Sequence, residues 1–179
     1  SPSMDILVSS NLERLIYLIA DRDTAKTASL MKALSDGGRY EITPEMRAKL
    51  SDFVGGYAAE DEVFATIHKI YTKDHYVIDP HTAVAATVYD RYEKKTGDTT
   101  PTVIASTASP YKFARNVLHA IDAAKYDPMT DLEQFDALHE VSGVKIPAAI
   151  EEIKTAPIRH STVAEIGEMK DVIRKMLGI

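Results

Sequence analysis

Residues Thr102 to Phe113, TVIASTASPYKF, change character twice within twelve positions. Val103, Ile104 and Ala105 form an apolar run of strand type, and Ser106, Thr107 and Ala108 end it with small residues. Ser109-Pro110 then offers a hydroxyl cap followed by proline at a first helical position. The pattern predicts a strand that delivers two hydroxyls, Ser106 and Thr107, to a strand-to-helix turn. In open α/β sheets ligands lie in the crevice beyond the carboxyl ends of strands, which is where these hydroxyls would stand. The same residues also suit a buried strand end whose hydroxyls satisfy local backbone.

A second stretch of this kind precedes it. In His75 to Val84, HYVIDPHTAV, Tyr76 to Ile78 reads as a short buried strand and Asp79-Pro80 as a helix cap with proline behind it. Ala83, Val84, Ala86, Thr87 and Val88 continue as a small-residue helix ending near Gly97. Asp79 and His81 thus also reach a strand end, where capping for Asp79 and a turn position for His81 are the plainer alternatives. As an acid–base pair they are the weakest reading, because residues two apart at a helix start need not face each other.

The rest of the chain sets the bounds. Its 179 residues, 45% hydrophobic and 27% charged, suffice for one domain with a sizeable core. A net charge of −6 with no basic run argues against nucleic acid as a partner. The absence of cysteine excludes disulfides, thiolate metal sites and a cysteine nucleophile. No apolar run reaches the ~18 residues of a membrane span and no signal-peptide pattern opens the chain, so no membrane partner is expected and cytoplasm is the expected compartment. His68, His75 and His81 are spaced by 7 and 6 residues, which fits no common zinc pattern, so no metal is expected.

In order, Asp5 to Val8 reads as a buried strand that runs into a helix with Ser10 and Glu13 as a capping box. So abrupt a start leads us to expect sequence before it. Ala28 to Leu34 reads as a short helix, Arg39 to Ile42 as a brief strand, and Thr43-Pro44 as the start of a helix running towards Phe53. Gly37-Gly38 and Gly55-Gly56 read as turns. From Glu60, Val63, Phe64, Ile67, Ile70 and Tyr71 recur at helical spacing. Helices follow through Phe113 to Ile121, from the capping box Thr130/Glu133, after Ile146-Pro147, and from Thr162 with Glu165. The expectation is an α/β arrangement, helix-rich with a few short strands and only part of a sheet.

Three segments taken together resemble the C-terminal part of the threonine synthase family: MDILVSSNLERL at residues 4–15, IDPHTAV at 78–84 and STASPYKF at 106–113. They occur in the family's order, and the resemblance covers roughly residues 2 to 155, less than half of a family chain. It implies a tryptophan-synthase-β-like fold, pyridoxal phosphate as cofactor, and conversion of O-phospho-L-homoserine and water to L-threonine and phosphate. On the matching residues it implies Thr107 as the hydroxyl paired with the pyridine nitrogen of the cofactor, with Ser106, Asp79 and His81 as further cofactor-side candidates. Asn11 and Lys112 would lie on the substrate side.

A neutral hydroxyl there suits an unprotonated ring nitrogen, whereas a carboxylate would favour the protonated ring and a stronger electron sink. The family's Schiff-base lysine, in a Ser-Phe-Lys-Asp context, and its Asn- and Gly-rich phosphate loop match nothing among these residues or the 13 lysines of the chain. Both are expected upstream of residue 1. Ser109 stands where the family usually has histidine, and Tyr111 replaces a smaller residue.

The resulting expectation is a single fragment, residues 1–179, that holds one wall of the active site. It carries no catalytic residue of its own, pairs with the remaining N-terminal part of the same protein, is inactive alone and is prone to self-association. A stand-alone α/β interaction domain without catalysis is the alternative.

Overall fold

The computed structural model describes Ile6 and residues 8–179. Of the buried strand expected at Asp5 to Val8, Asp5 and Leu7 therefore lie outside the described residues, while Ile6 and Val8 are in no strand and are exposed. The chain divides into two compact units, one running to Gly143 and one from Val144 to Ile179.

The first unit opens with three helices, α1 (Ser10–Ile19), α2 (Thr24–Gly37) and α3 (Pro44–Ala48). The α1 cap is Ser9, one residue before the hydroxyl expected to make it; its Oγ accepts from Leu12 N at 3.4 Å. Helix α2 is longer than the apolar spacing suggested, because Asp23 Oδ1 accepts from Lys26 N at 2.9 Å and starts it upstream of Ala28. Between α1 and α2 the chain turns through Asp21 and Arg22, both left-handed, with φ of 60° and 62°. The helices bury Ile16, Ile19, Ala20 and Met46, and Leu30, Met31, Tyr40, Ile42 and Leu50 pack against them.

The larger part of the unit is built from α4 (Glu60–Asp74), α5 (Pro80–Thr96), α6 (Ala114–Tyr126) and α7 (Asp131–Ser142). Helix α4 packs on both α5 and α6, and α6 on α7. Val63, Ile67, Ala83, Val117, Leu118 and Leu138 are buried. The starts of α5 and α7 are as read from the sequence: Asp79 caps the former, and Thr130 with Glu133 forms the box at the latter.

Helix α6 breaks at Asp122 (φ −158°, ψ 90°). His68 of α4 covers the first half's end by donating from Nδ1 to the carbonyls of Ala120 and Ile121, each at 3.2 Å. Carbonyls only accept, which fixes the imidazole's donor nitrogen. The Asp122 carboxylate restarts the helix by accepting from Lys125 N at 3.1 Å.

The expected short strands at Arg39–Ile42, Tyr76–Ile78 and Val103–Ala105 do not form; all three are non-helical connections. A strand exists only through a neighbour's backbone hydrogen bonds. Among the described residues, 76–78 and 103–105 make no backbone–backbone hydrogen bond. Val77 and Ile78 are nevertheless buried, whereas Val103 is 93% exposed. Gly55-Gly56 likewise lies in an irregular connection rather than a turn, and Gly56 approaches α5 so closely that a Cβ on it would lie 2.5 Å from Val88 Cγ1.

The second unit carries α8 (Ala148–Thr155) and α9 (Met169–Leu177). The final helix starts at Met169, not near Thr162. Gly167 lies in a tight 3-10 turn at Ile166–Glu168, where Glu165 N donates to Glu168 Oε2 at 3.1 Å, and Val163 is 94% exposed. Among the described residues no helix is long and apolar enough to cross a membrane.

Candidate functional site

The start of α5 is the centre of the site. Proline at the first helical position leaves no N–H to satisfy there, so the Asp79 cap serves the next two donors. Its Oδ1 accepts from His81 N at 2.8 Å and from Thr82 N at 3.3 Å. Its Oδ2 accepts from the Thr82 hydroxyl in a short hydrogen bond and from Ser106 Oγ at 3.4 Å. Thr82 Oγ1 and Ser106 Oγ are 2.9 Å apart. Asp79 is completely buried and Thr82 is 7% exposed. The network joins residues 24 and 27 positions apart, so the two motifs read separately from the sequence meet in space.

Counting protons orders the network. A carboxylate accepts only, and a hydroxyl has one proton to give. Thr82 gives its proton to Asp79, so the one proton of Ser106 is shared between Thr82 Oγ1 at 2.9 Å and, more weakly, Asp79 Oδ2 at 3.4 Å. Ser106 is an exposed residue, yet its hydroxyl proton points inward. The exposed neighbour Thr107 has a hydroxyl that no described residue engages. Of the two hydroxyls on this turn, only that of Thr107 keeps a proton for an outside acceptor.

His81 turns its ring elsewhere. It meets Phe113 edge to face, with centroids 4.7 Å apart and planes at 78°. Phe113 ends the 3-10 turn Pro110–Phe113, capped by Ser109, whose Oγ accepts from Tyr111 N at 3.3 Å. Position 109 is thus a capping position, and the Tyr111 side chain is buried, 6.4 Å from the ring of Phe135. Lys112 is exposed, with its ammonium 5.4 Å from the Phe113 centroid. The pairing of Asp79 with His81 as acid and base is not formed, because the carboxylate touches only the backbone N–H of His81.

Two cavities flank this cluster. One of about 660 Å³ runs along α5 and is lined by Gly56, His81, Val84, Val88, Tyr89 and Tyr92 among others. The other, about 290 Å³, is lined by Lys112, Phe113, Arg115, Asn116, Asp131 and Gln134 among others. Arg115 is tied to Asp131 at 2.7 Å, and buried Gln134 donates to the Tyr126 carbonyl at 3.1 Å.

The structure therefore joins Asp79, the His81 backbone and Ser106 in one network, with Thr107 next to Ser106 in the chain and Lys112 next to Phe113, on which His81 rests. Asn11 is exposed at the start of α1, and among the described residues no hydrogen bond joins it to the network. The sequence reading gave no role to Thr82 or Phe113. The signal for Thr82 was its place at the third helical position behind an aspartate cap, where a hydroxyl can reach back to the capping side chain.

Comparisons with known proteins agree on one family. Residues 82–173, just over half of the chain, match the family described as threonine synthase, C-terminal. Threonine synthase-like 1 of Homo sapiens is 41% identical over 122 residues, covering 68% of this chain and 16% of that protein. Threonine synthase of Schizosaccharomyces pombe is 38% identical over 135 residues, 69% of this chain and 26% of that protein. Among solved structures, the PLP-bound threonine synthase from Brucella melitensis superposes with a TM-score of 0.66 at 30% identity, over 98% of this chain and 33% of that one. The yeast threonine synthase gives 0.69 at 27% identity, over 99% and 36%. The chain spans about a third or less of the length of each. A fold that follows two threonine synthases, and a family match that begins at Thr82 inside the buried network, lead to one conclusion: this chain belongs to the threonine synthase C-terminal family.

Proposed function

We propose that this chain forms one wall of the pyridoxal-phosphate site of a threonine synthase, whose complete protein converts O-phospho-L-homoserine and water to L-threonine and phosphate. The observation that carries the reading is the exposed Thr107 hydroxyl, which has a proton to donate beside a Ser106 hydroxyl that has none. The residues present fit the cofactor at its ring-nitrogen side: an unprotonated pyridine nitrogen is an acceptor, and Thr107 is a neutral donor. When bound, pyridoxal phosphate supplies an electron sink for a carbanion of the substrate.

This chain's residues do the holding. Thr107 would donate to the ring nitrogen and suit its unprotonated form. The first turn of α5, with His81 braced on Phe113, would supply the neighbouring wall. Lys112 offers an exposed cation on the side where an anionic substrate would enter, and nothing in the geometry ties Asn11 to it. No lysine here stands in the family's anchor context, so the covalent anchor and its proton transfers belong to the N-terminal remainder of the protein, and the isolated chain is inactive. Its self-association follows from the same reading, because apolar residues such as Val103, 93% exposed, await cover.

Substitution of Thr107 in the full-length protein tests this. Thr107→Val keeps the shape and leaves a buried acceptor unpaired, at ~1–3 kcal/mol, so cofactor retention weakens roughly 5- to 150-fold. Thr107→Ser retains it. If Val binds the cofactor like the parent while Ser106→Ala loses it, the role belongs to Ser106.

A further inference from the structure

A helix cap needs one carboxylate oxygen, and Asp79 meets its two backbone donors with Oδ1 alone. The second oxygen is committed to Thr82 and Ser106. Among the described residues no cation pairs with this fully buried carboxylate, and burying a charge without a cation costs stability that a smaller neutral cap would avoid. The segment at the far end of the network has little else to hold it. Among the described residues, the non-local hydrogen bonds of 102–108 are those of Ser106 to Thr82 and Asp79. Thr107 is the next residue along the chain.

We propose that Asp79 is a positioning residue that acts through Thr82 and Ser106 to latch the 106–107 turn against α5, setting the direction in which the Thr107 hydroxyl points. The inference rests on the proposed contact between Thr107 and the ring nitrogen. The direction of the proton relay is part of the device. Asp79 accepts from Thr82, both Thr82 and Asp79 accept from Ser106, and Ser106 is thereby kept from competing with Thr107 as the outward donor. Thr82 is the coupling between cap and latch, because its N–H and its hydroxyl bond different oxygens of the same carboxylate.

The test uses the full-length protein loaded with ring-15N pyridoxal phosphate, with two readouts: the nitrogen chemical shift, which reports the hydrogen bond at that atom, and cofactor affinity. Ser106→Ala removes the latch and leaves the cap intact, so it keeps the question open even if Asp79→Asn fails to fold. Loss of one such hydrogen bond predicts affinity about 2- to 13-fold weaker for Ser106→Ala. Its nitrogen signal moves towards that of Thr107→Val, Asp79→Asn behaves alike where it folds, and Ser106→Thr restores the parent signal. If Ser106→Ala lowers the melting temperature but leaves shift and affinity unchanged while Thr107→Val moves both, the network is only structural and the positioning role is overturned. If Thr107→Val itself leaves the nitrogen signal unmoved, the ring-nitrogen reading fails and the latch falls with it.

Discussion

The rings of His81 and Phe113 meet edge to face at 4.7 Å, joining the first turn of α5 to the 3-10 turn that leads into α6. This contact and the bond between Thr82 and Ser106 close a loop of the chain at two points. The exposed Thr107 therefore sits in a segment anchored on both sides, which is what a donor aimed at a fixed acceptor requires.

Gly56 tests the packing beside this site. A Cβ at that position would stand 2.5 Å from Val88 Cγ1 and 3.1 Å from Cγ2, and valine on a helix has little rotamer freedom with which to yield. Gly56→Ala should lower stability by ~1–3 kcal/mol. Thermal unfolding of Gly56→Ala, Val88→Ala and the double variant checks it: relief of the clash makes the double variant more stable than the sum of the single losses. Strict additivity would mean that the two positions do not touch.

Glu62 gives a pH test. The Arg91 guanidinium, and then the N–H of Ala59, hold its carboxyl below the ordinary value of 4.5. A depressed folded value contributes stability that is present above 4.5 and is lost as pH falls through the folded value. Glu62→Gln should therefore melt below the parent at neutral pH, with the gap closing on acidification and shrinking in high salt because the pair is exposed. A gap that stays constant from neutral to strongly acid solution would contradict the assignment.

What the sequence made legible and what it hid have different physical origins. Caps are local, so Asp79-Pro80, Thr43-Pro44 and Thr130 with Glu133 could be read from neighbouring residues and start helices where expected. The apolar run Val103 to Ala105 has the same composition whether or not a strand lies beside it, so its pairing could not be read, and here it has none. Asp79 was legible as a cap, but its second oxygen bonds a residue 27 positions away, and such a link leaves no periodicity. His68, His75 and His81 look like a series in the sequence. They separate into a helix-end donor, a left-handed cap beside Tyr71 and a ring braced on Phe113.

The isolated chain should carry no specific lysine anchor. Incubation with pyridoxal phosphate, borohydride reduction and peptide mapping should give scattered, substoichiometric labelling over its 13 lysines. A single stoichiometrically labelled lysine would make the chain a cofactor protein in its own right.

A crystal structure of the full-length protein with pyridoxal phosphate bound would show the acceptor of the Thr107 hydroxyl. That hydroxyl should lie within about 3 Å of the ring nitrogen, with Ser106 still turned inward to Thr82 and Asp79. A carboxylate or another side chain at that nitrogen, with the Thr107 hydroxyl facing away, would contradict it.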